Sequence, residues 1–250
     1  MSSASANGDA MPDTAMVFAA GLGTRMRPVT DHLPKPLVRI AGRTMLDHML
    51  DRLAAAGVRK AIVNVHYLAD QIEAHLLERG KTQALPEIII SDERALLLDQ
   101  GGGIARVLPL LGRKPVFLCN TDALWLEGPR SNLVRLAQAW DPARMDIAMV
   151  VANSATAIGV DWPGDFTMSS EGCLAKREER QVAPFVYSGV ALVKPELFAG
   201  EARQVFRLAP YFFSAAAAGR LHGVRLDGIW LHVGTPEAIA EAQRAMARWM

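Results

Sequence analysis

Residues 19–36 read AAGLGTRMRPVTDHLPKP, and the fold follows from how that stretch is read. It comes directly after a short apolar run, residues 16–20, of the length and composition of a buried parallel strand. Gly21 and Gly23 let the backbone turn sharply and bring bare N–H groups close to an anion. Arg25 and Arg27 put two permanent cations over the same loop. Lys35 stands between Pro34 and Pro36, which stiffen the chain around one flexible ammonium. A GLG triplet alone is equally at home in a basic surface loop. The whole stretch, set at the end of a strand, describes a site for a highly charged phosphate chain. Neither GxxxxGK[ST] nor the dinucleotide pattern GxGxxG occurs, so the loop belongs to neither of those classes.

Working outward, 250 residues suit one α/β domain or one domain with a small lobe. Half the residues are apolar and the net charge is +1, which points away from nucleic acid and from anionic membrane surfaces. Cys119 and Cys173 have no metal-binding or redox spacing and read as reduced thiols of a cytoplasmic protein. Residues 1–13 are small and polar without an apolar segment, a floppy leader rather than a signal peptide. No apolar stretch has the length of a membrane span. Oligomeric state leaves no mark in the sequence.

The chain then alternates. Thr44, with Asp47 three residues on, starts a helix whose stripe is Met45, Leu46, Met49, Leu50 and Leu53, and Gly57 ends it. Strands are expected at 60–65 and 87–91, with a helix at 69–79 between them. That β-α-β-α-β rhythm predicts an α/β fold with a parallel sheet covered on both faces. Gln100, Gly101, Gly102 and Gly103 lead into a short helix at 104–111. Three glycines give either a flexible helix start or a bare backbone on which a base or ribose can lie. A strand at 116–119 ends at Asn120 and Asp122, where ligands of open α/β sheets collect. Asp122 suits either a helix N-cap or a hard dication. A helix at 131–140 and a buried strand at 145–152 follow. Residues 159–180 turn rich in Trp, Pro, Gly, Ser and charge and predict a small β-rich acceptor lobe with a hairpin over 165–176. Beyond it come a core strand at 185–193, short helices at 194–198 and 210–219, and strands at 222–226 and 229–233. The last helix, 236–250, has Thr235 as N-cap and Pro236 at its first position.

Residues 19–37 resemble the sugar-1-phosphate nucleotidyltransferases, whose pattern AAGxGTRxxPxTxxxPKPL is matched at every fixed position. The resemblance implies the reaction NTP + sugar 1-phosphate → NDP-sugar + pyrophosphate on a Rossmann-like GT-A fold, a three-layer α/β/α sandwich with a mixed, mostly parallel sheet and a small β-rich acceptor lobe. It divides the chain into a nucleotide part at about 14–125, a sugar part at about 126–235 and the C-terminal helix at 236–250. It assigns Ala20, Gly21, Gly23, Thr24, Arg25, Lys35, Gln100, Gly101 and Gly102 to the nucleotide, with Arg25, Lys35 and Asp122 catalytic. It makes Asp122 the Mg²⁺ ligand, with Mn²⁺ as the alternative ion, and gives Asn120 to the sugar. Gly164, in the segment Gly164-Asp165-Phe166, and Glu178 or Glu179 are further sugar contacts on this reading, although 176–180 equally reads as a solvated charge run. Residues 230–236 match W-x-D-x-G-T with one departure: His232 stands where a second metal-binding aspartate is expected. His232 is therefore assigned to the sugar phosphate rather than to the ion, since Mg²⁺ prefers oxygen ligands. The substituted aspartate also keeps a non-catalytic nucleotide-sugar sensor in view. Among the branches, the chain is most similar to that using UTP and N-acetylmuramate 1-phosphate in cell-wall recycling. Mannose-1-phosphate guanylyl transfer and glucose-1-phosphate thymidylyl transfer come next.

Overall fold

The computed structural model describes residues 11–249. Strands β1 (Thr14–Phe18), β4 (Lys60–Val65), β5 (Glu87–Asp92) and β6 (Val116–Asn120) run parallel. Helices α1 (Met45–Ala55), α2 (Ala69–Gly80) and α3 (Asp99–Leu111) connect them. Beyond β6 the sheet continues through β11 (Phe185–Val193), β8 (Ile147–Asn153) and β12 (Leu221–Arg225). Its order is β12-β8-β11-β6-β1-β4-β5, and β11 alone runs against its neighbours along this path. The expected mixed, mostly parallel sheet is present.

Both faces are covered because the central strands are apolar throughout. Alternate residues of β1 point to opposite sides: Ala15 and Val17 join the cluster holding Leu46, Leu50 and Leu53 of α1, and Met16 joins Ile104 and Val107 of α3. Thr44 caps α1, its hydroxyl accepting the Asp47 N–H at 3.0 Å. Helices α4 (Asn132–Ala139), α5 (Ala209–Ala217) and α6 (Pro236–Trp249) complete the layers, with the Ala238 N–H donating to the Thr235 hydroxyl at the start of α6.

Two parts differ from the reading of the sequence. Residues 123–127, left unassigned by their pattern, form β7 (Ala123–Glu127) and pair antiparallel with β13 (Gly228–His232). This ribbon sets His232 opposite Ala123 and hence beside Asp122. The short β2 (Arg39–Ile40) and β3 (Arg43–Thr44) pair beneath α6. In the expected β-rich acceptor region, β9 (Phe166–Met168) and β10 (Leu174–Lys176) make the expected hairpin, which joins the main sheet where Phe166 meets Phe185. Of the expected floppy leader, residues 1–10 lie outside the described residues. Residues 11–13 are packed, with Pro12 buried and the Asp13 carbonyl accepting the N–H groups of Arg59 and Lys60.

No helix among the described residues is long and apolar enough to cross a membrane.

Candidate active site

The chain leaves β1 and goes to β4 on one side, then returns to β6 on the other. A crevice opens at the carboxyl ends of these strands, at the point where the order reverses. Its volume is about 880 Å³. Residues 19–26 form one wall, Lys35 and Asp122 stand at its centre, and Asn64, Asn120, Asp99 and Gln100 line the rest.

The loop is built for close approach. Gly23 has φ +64°, and a side chain there would press on Thr30 and Lys35. The Thr30 hydroxyl donates to the Gly23 carbonyl at 2.8 Å and cinches the turn. Gly21 has nothing within 4 Å of where its Cβ would stand, so its missing side chain leaves open space in the cleft. Arg25 lines the cleft and is exposed. Arg27, expected over the same loop, instead pairs with Asp31 at 3.3 Å and lies outside the lining.

Lys35 Nζ meets Asp122 Oδ2 at 2.6 Å, with the two side chains 14% and 25% exposed. Burial would push the Asp122 carboxyl up. The Lys35 ammonium and its hydrogen bond outweigh that and, with smaller help from His232 and Arg25, hold it below the usual carboxylate range. Asp122 is thus a fixed anion facing the cleft. It opens no α-helix; β7 begins at the next residue. The Lys35 bond occupies one carboxylate oxygen. The other can take a hard dication of the kind held by one or two carboxylates, phosphate oxygens and water. No cluster of three His, Cys, Asp or Glu side chains that could hold an ion occurs among the described residues.

His232 is half-buried between Trp162 and Trp230, with ring centroids 5.2 and 5.4 Å away, and its ring folds over Gly234. Burial lowers its basicity, and Lys35 and Arg25 lower it further against the opposing pull of Asp122. The imidazole is consequently neutral near pH 7. Gly234 lines the cleft in front of it.

Other expected contacts divide. Gln100 and Asn120 come together, the Gln100 amide donating to Asn120 Oδ1 at 2.7 Å across the cleft floor. Gly101 and Gly102 do not line the cleft. They belong to α3, which starts at Asp99 rather than Ile104 and packs on residues 204–206. A Cβ on Gly101 would strike the Phe206 ring, and one on Gly102 the Gln204 carbonyl. Gly164 is buried with φ +83°, against the Ala183 carbonyl, and its own carbonyl accepts from Arg177. The adjoining Asp165 accepts the Tyr187 N–H and the Trp162 indole N–H. The Gly164-Asp165-Phe166 segment therefore anchors the hairpin. Glu178 and Glu179 sit on an exposed turn outside the lining, and Glu178 bonds Gln181.

Sequence reading missed Asn64, Val205 and Arg207, which line the cleft. Asn64 carried a signal, a lone amide near the carboxyl end of a strand that is apolar from Ala61 on. Val205 and Arg207 carried none, because their segment has no motif.

Comparisons with known proteins agree with this geometry. Residues 15–228 match the model of the MobA-like NTP transferase domain. The chain is 46% identical to an N-acetylmuramate alpha-1-phosphate uridylyltransferase of Caulobacter vibrioides, over 94% of this chain and 98% of that one. A protein of the same name from Neisseria meningitidis is 34% identical over 94% of this chain and 99% of its own. Among solved structures, a UDP-glucose pyrophosphorylase complexed with UDP-glucose has the same fold, with TM-score 0.74 and 15% identity, covering 96% of this chain and all of that one. Strand order, phosphate loop and family model converge, and the chain belongs to the MobA-like NTP transferases, a family of nucleotidyltransferase enzymes.

Proposed function

We propose that this protein transfers the uridylyl group of UTP to N-acetylmuramate 1-phosphate and releases pyrophosphate. The observation that carries the chemistry is the Lys35–Asp122 pair at 2.6 Å, set against the open backbone of Gly21 at a strand switch point. The substrates follow from the two relatives that match this chain nearly end to end.

In this reading the sugar phosphate attacks the α-phosphorus of the nucleotide in line, and pyrophosphate leaves. No general base is required, because a phosphate monoester is already largely dianionic near pH 7. The protein's work is positioning and charge neutralisation. Arg25 and the backbone of residues 20–24 hold the departing phosphates. Lys35 has three N–H donors and can share them between Asp122 and phosphate oxygens on both reacting groups. Asp122 would hold Mg²⁺, with Mn²⁺ as the substitute, and the ion would supply further neutralisation of phosphate charge. Gln100 faces the nucleoside, Asn120 faces the sugar, and neutral His232 orients the sugar phosphate from behind Gly234.

A pyrophosphate-release screen of UTP, GTP, CTP and dTTP against a panel of sugar 1-phosphates tests the assignment. The expected winner by kcat/KM is UTP with N-acetylmuramate 1-phosphate. Preference for GTP with mannose 1-phosphate would replace the substrates, and nucleotide binding without turnover would make the protein a sensor.

A further inference from the structure

Glu93 is 1% exposed and lies behind the cleft, yet both of its carboxylate oxygens are engaged. Glu93 Oε1 accepts from the Asn64 side-chain amide at 2.9 Å, and Oε2 accepts the Leu98 N–H at 3.2 Å. Asn64, 3% exposed, uses its own Oδ1 to accept the Ala19 N–H at 2.8 Å. One buried chain of hydrogen bonds thus runs from the first residue of the phosphate loop to the residue before α3. Gly103 lets the helix press on this chain, since a Cβ there would stand 2.9 Å from Glu93 Oε1.

We infer that Glu93 and Asn64 are positioning residues that fix the phosphate loop relative to the Asp99–Gln100 side of the cleft, and so set nucleotide affinity. This rests on the cleft being the nucleotide site. Neither side chain is replaceable by its neutral or charged counterpart alone, because donors and acceptors alternate along the chain. In Glu93→Gln, every arrangement of the two amides leaves one N–H facing another. In Asn64→Asp, two carboxylates face each other. Exchanging both restores the alternation. The carboxylate now at position 64 accepts from the Ala19 N–H and from the amide now at position 93, whose oxygen accepts the Leu98 N–H. The exchange also keeps the buried charge at one. An ordinary core contact has no such parity, so exchanging its two residues would not return the wild-type value.

The test compares wild type, Glu93→Gln, Asn64→Asp and the double exchange by steady-state kinetics and by amide exchange at Ala19 and Leu98. The expected result for Glu93→Gln is a rise of tenfold or more in KM for the nucleotide, with the KM for the sugar phosphate within twofold. Exchange at Ala19 or Leu98 should quicken by a similar factor. The double exchange should bring both readouts back to within threefold of wild type, and it does so even if either single variant fails to fold. A Glu93→Gln nucleotide KM within twofold of wild type overturns the inference, as does a double exchange no better than the single variants. Equal rises in both KM values also overturn it. If wild type turns over no nucleotide at all, the functional reading fails by itself; amide exchange at Ala19 and Leu98 then decides the positioning role alone.

Discussion

At the scale of single residues, the site turns on one ion pair. In the proposed mechanism, removing the Lys35 ammonium takes away a preorganised donor to the reacting phosphates, and such donors contribute about 10²–10³ in kcat. It also removes the charge that holds the Asp122 carboxyl down, leaving burial to push it up. Lys35→Ala should therefore lose about 10²–10³ in kcat, and its acid limb should move to higher pH, because Asp122 must stay ionised. A kcat–pH profile at saturating substrates checks both, and near-normal turnover would remove Lys35 from the mechanism. His232 gives the opposite sign. Its basicity is lowered by burial first, so the folded protein holds it neutral below an ordinary histidine pKa of about 6.5. Any step in activity from His232 falls on the acid side of that value. His232→Asn should abolish that step and raise the sugar-phosphate KM, while the nucleotide KM stays within about twofold, under 0.5 kcal/mol.

At the scale of elements, two glycine clusters of similar appearance do different work. Gly21 borders open cleft, so Gly21→Ala should leave stability within about 0.5 kcal/mol. The added methyl should nonetheless raise the nucleotide KM about tenfold, ~1.4 kcal/mol. Gly102 packs on backbone, with no room for a Cβ beside the Gln204 carbonyl. Gly102→Ala should lose about 1–3 kcal/mol by overpacking, partly offset by up to about 1 kcal/mol of helix propensity. Thermal unfolding beside nucleotide KM separates the two cases. The sequence could not distinguish them, because what fills the space beside Gly101 and Gly102 lies about a hundred residues away. The same distance hid β7, whose partner β13 is equally remote. By contrast, the phosphate loop, the Thr44 cap and the central strands were legible, since each rests on residues within one short window. The packing that requires glycine at position 164, against the Ala183 carbonyl, likewise lies outside any short window of sequence.

At the scale of the whole molecule, topology gathers the chemistry. Phe18 and Asn120 end β1 and β6, Asn64 is the next-to-last residue of β4, and all three line the cleft, while the β7–β13 ribbon swings His232 to Asp122 from the far end of the chain. Alternation of strands and helices predicted this sheet, and the family pattern picked out the loop that lines its cleft. The long-range pairings that complete the cleft, including Val205 and Arg207, needed the folded structure. The arrangement pairs Asp122 with Lys35, and in the proposed mechanism that one carboxylate anchors the metal as well. The most direct measurement is therefore Mg²⁺-dependent pyrophosphate release by Asp122→Asn, with UTP and N-acetylmuramate 1-phosphate saturating and folding verified by thermal melt. The expected result is a folded protein with turnover reduced by about 10²-fold or more; full Mg²⁺-dependent turnover would contradict the central role of Asp122.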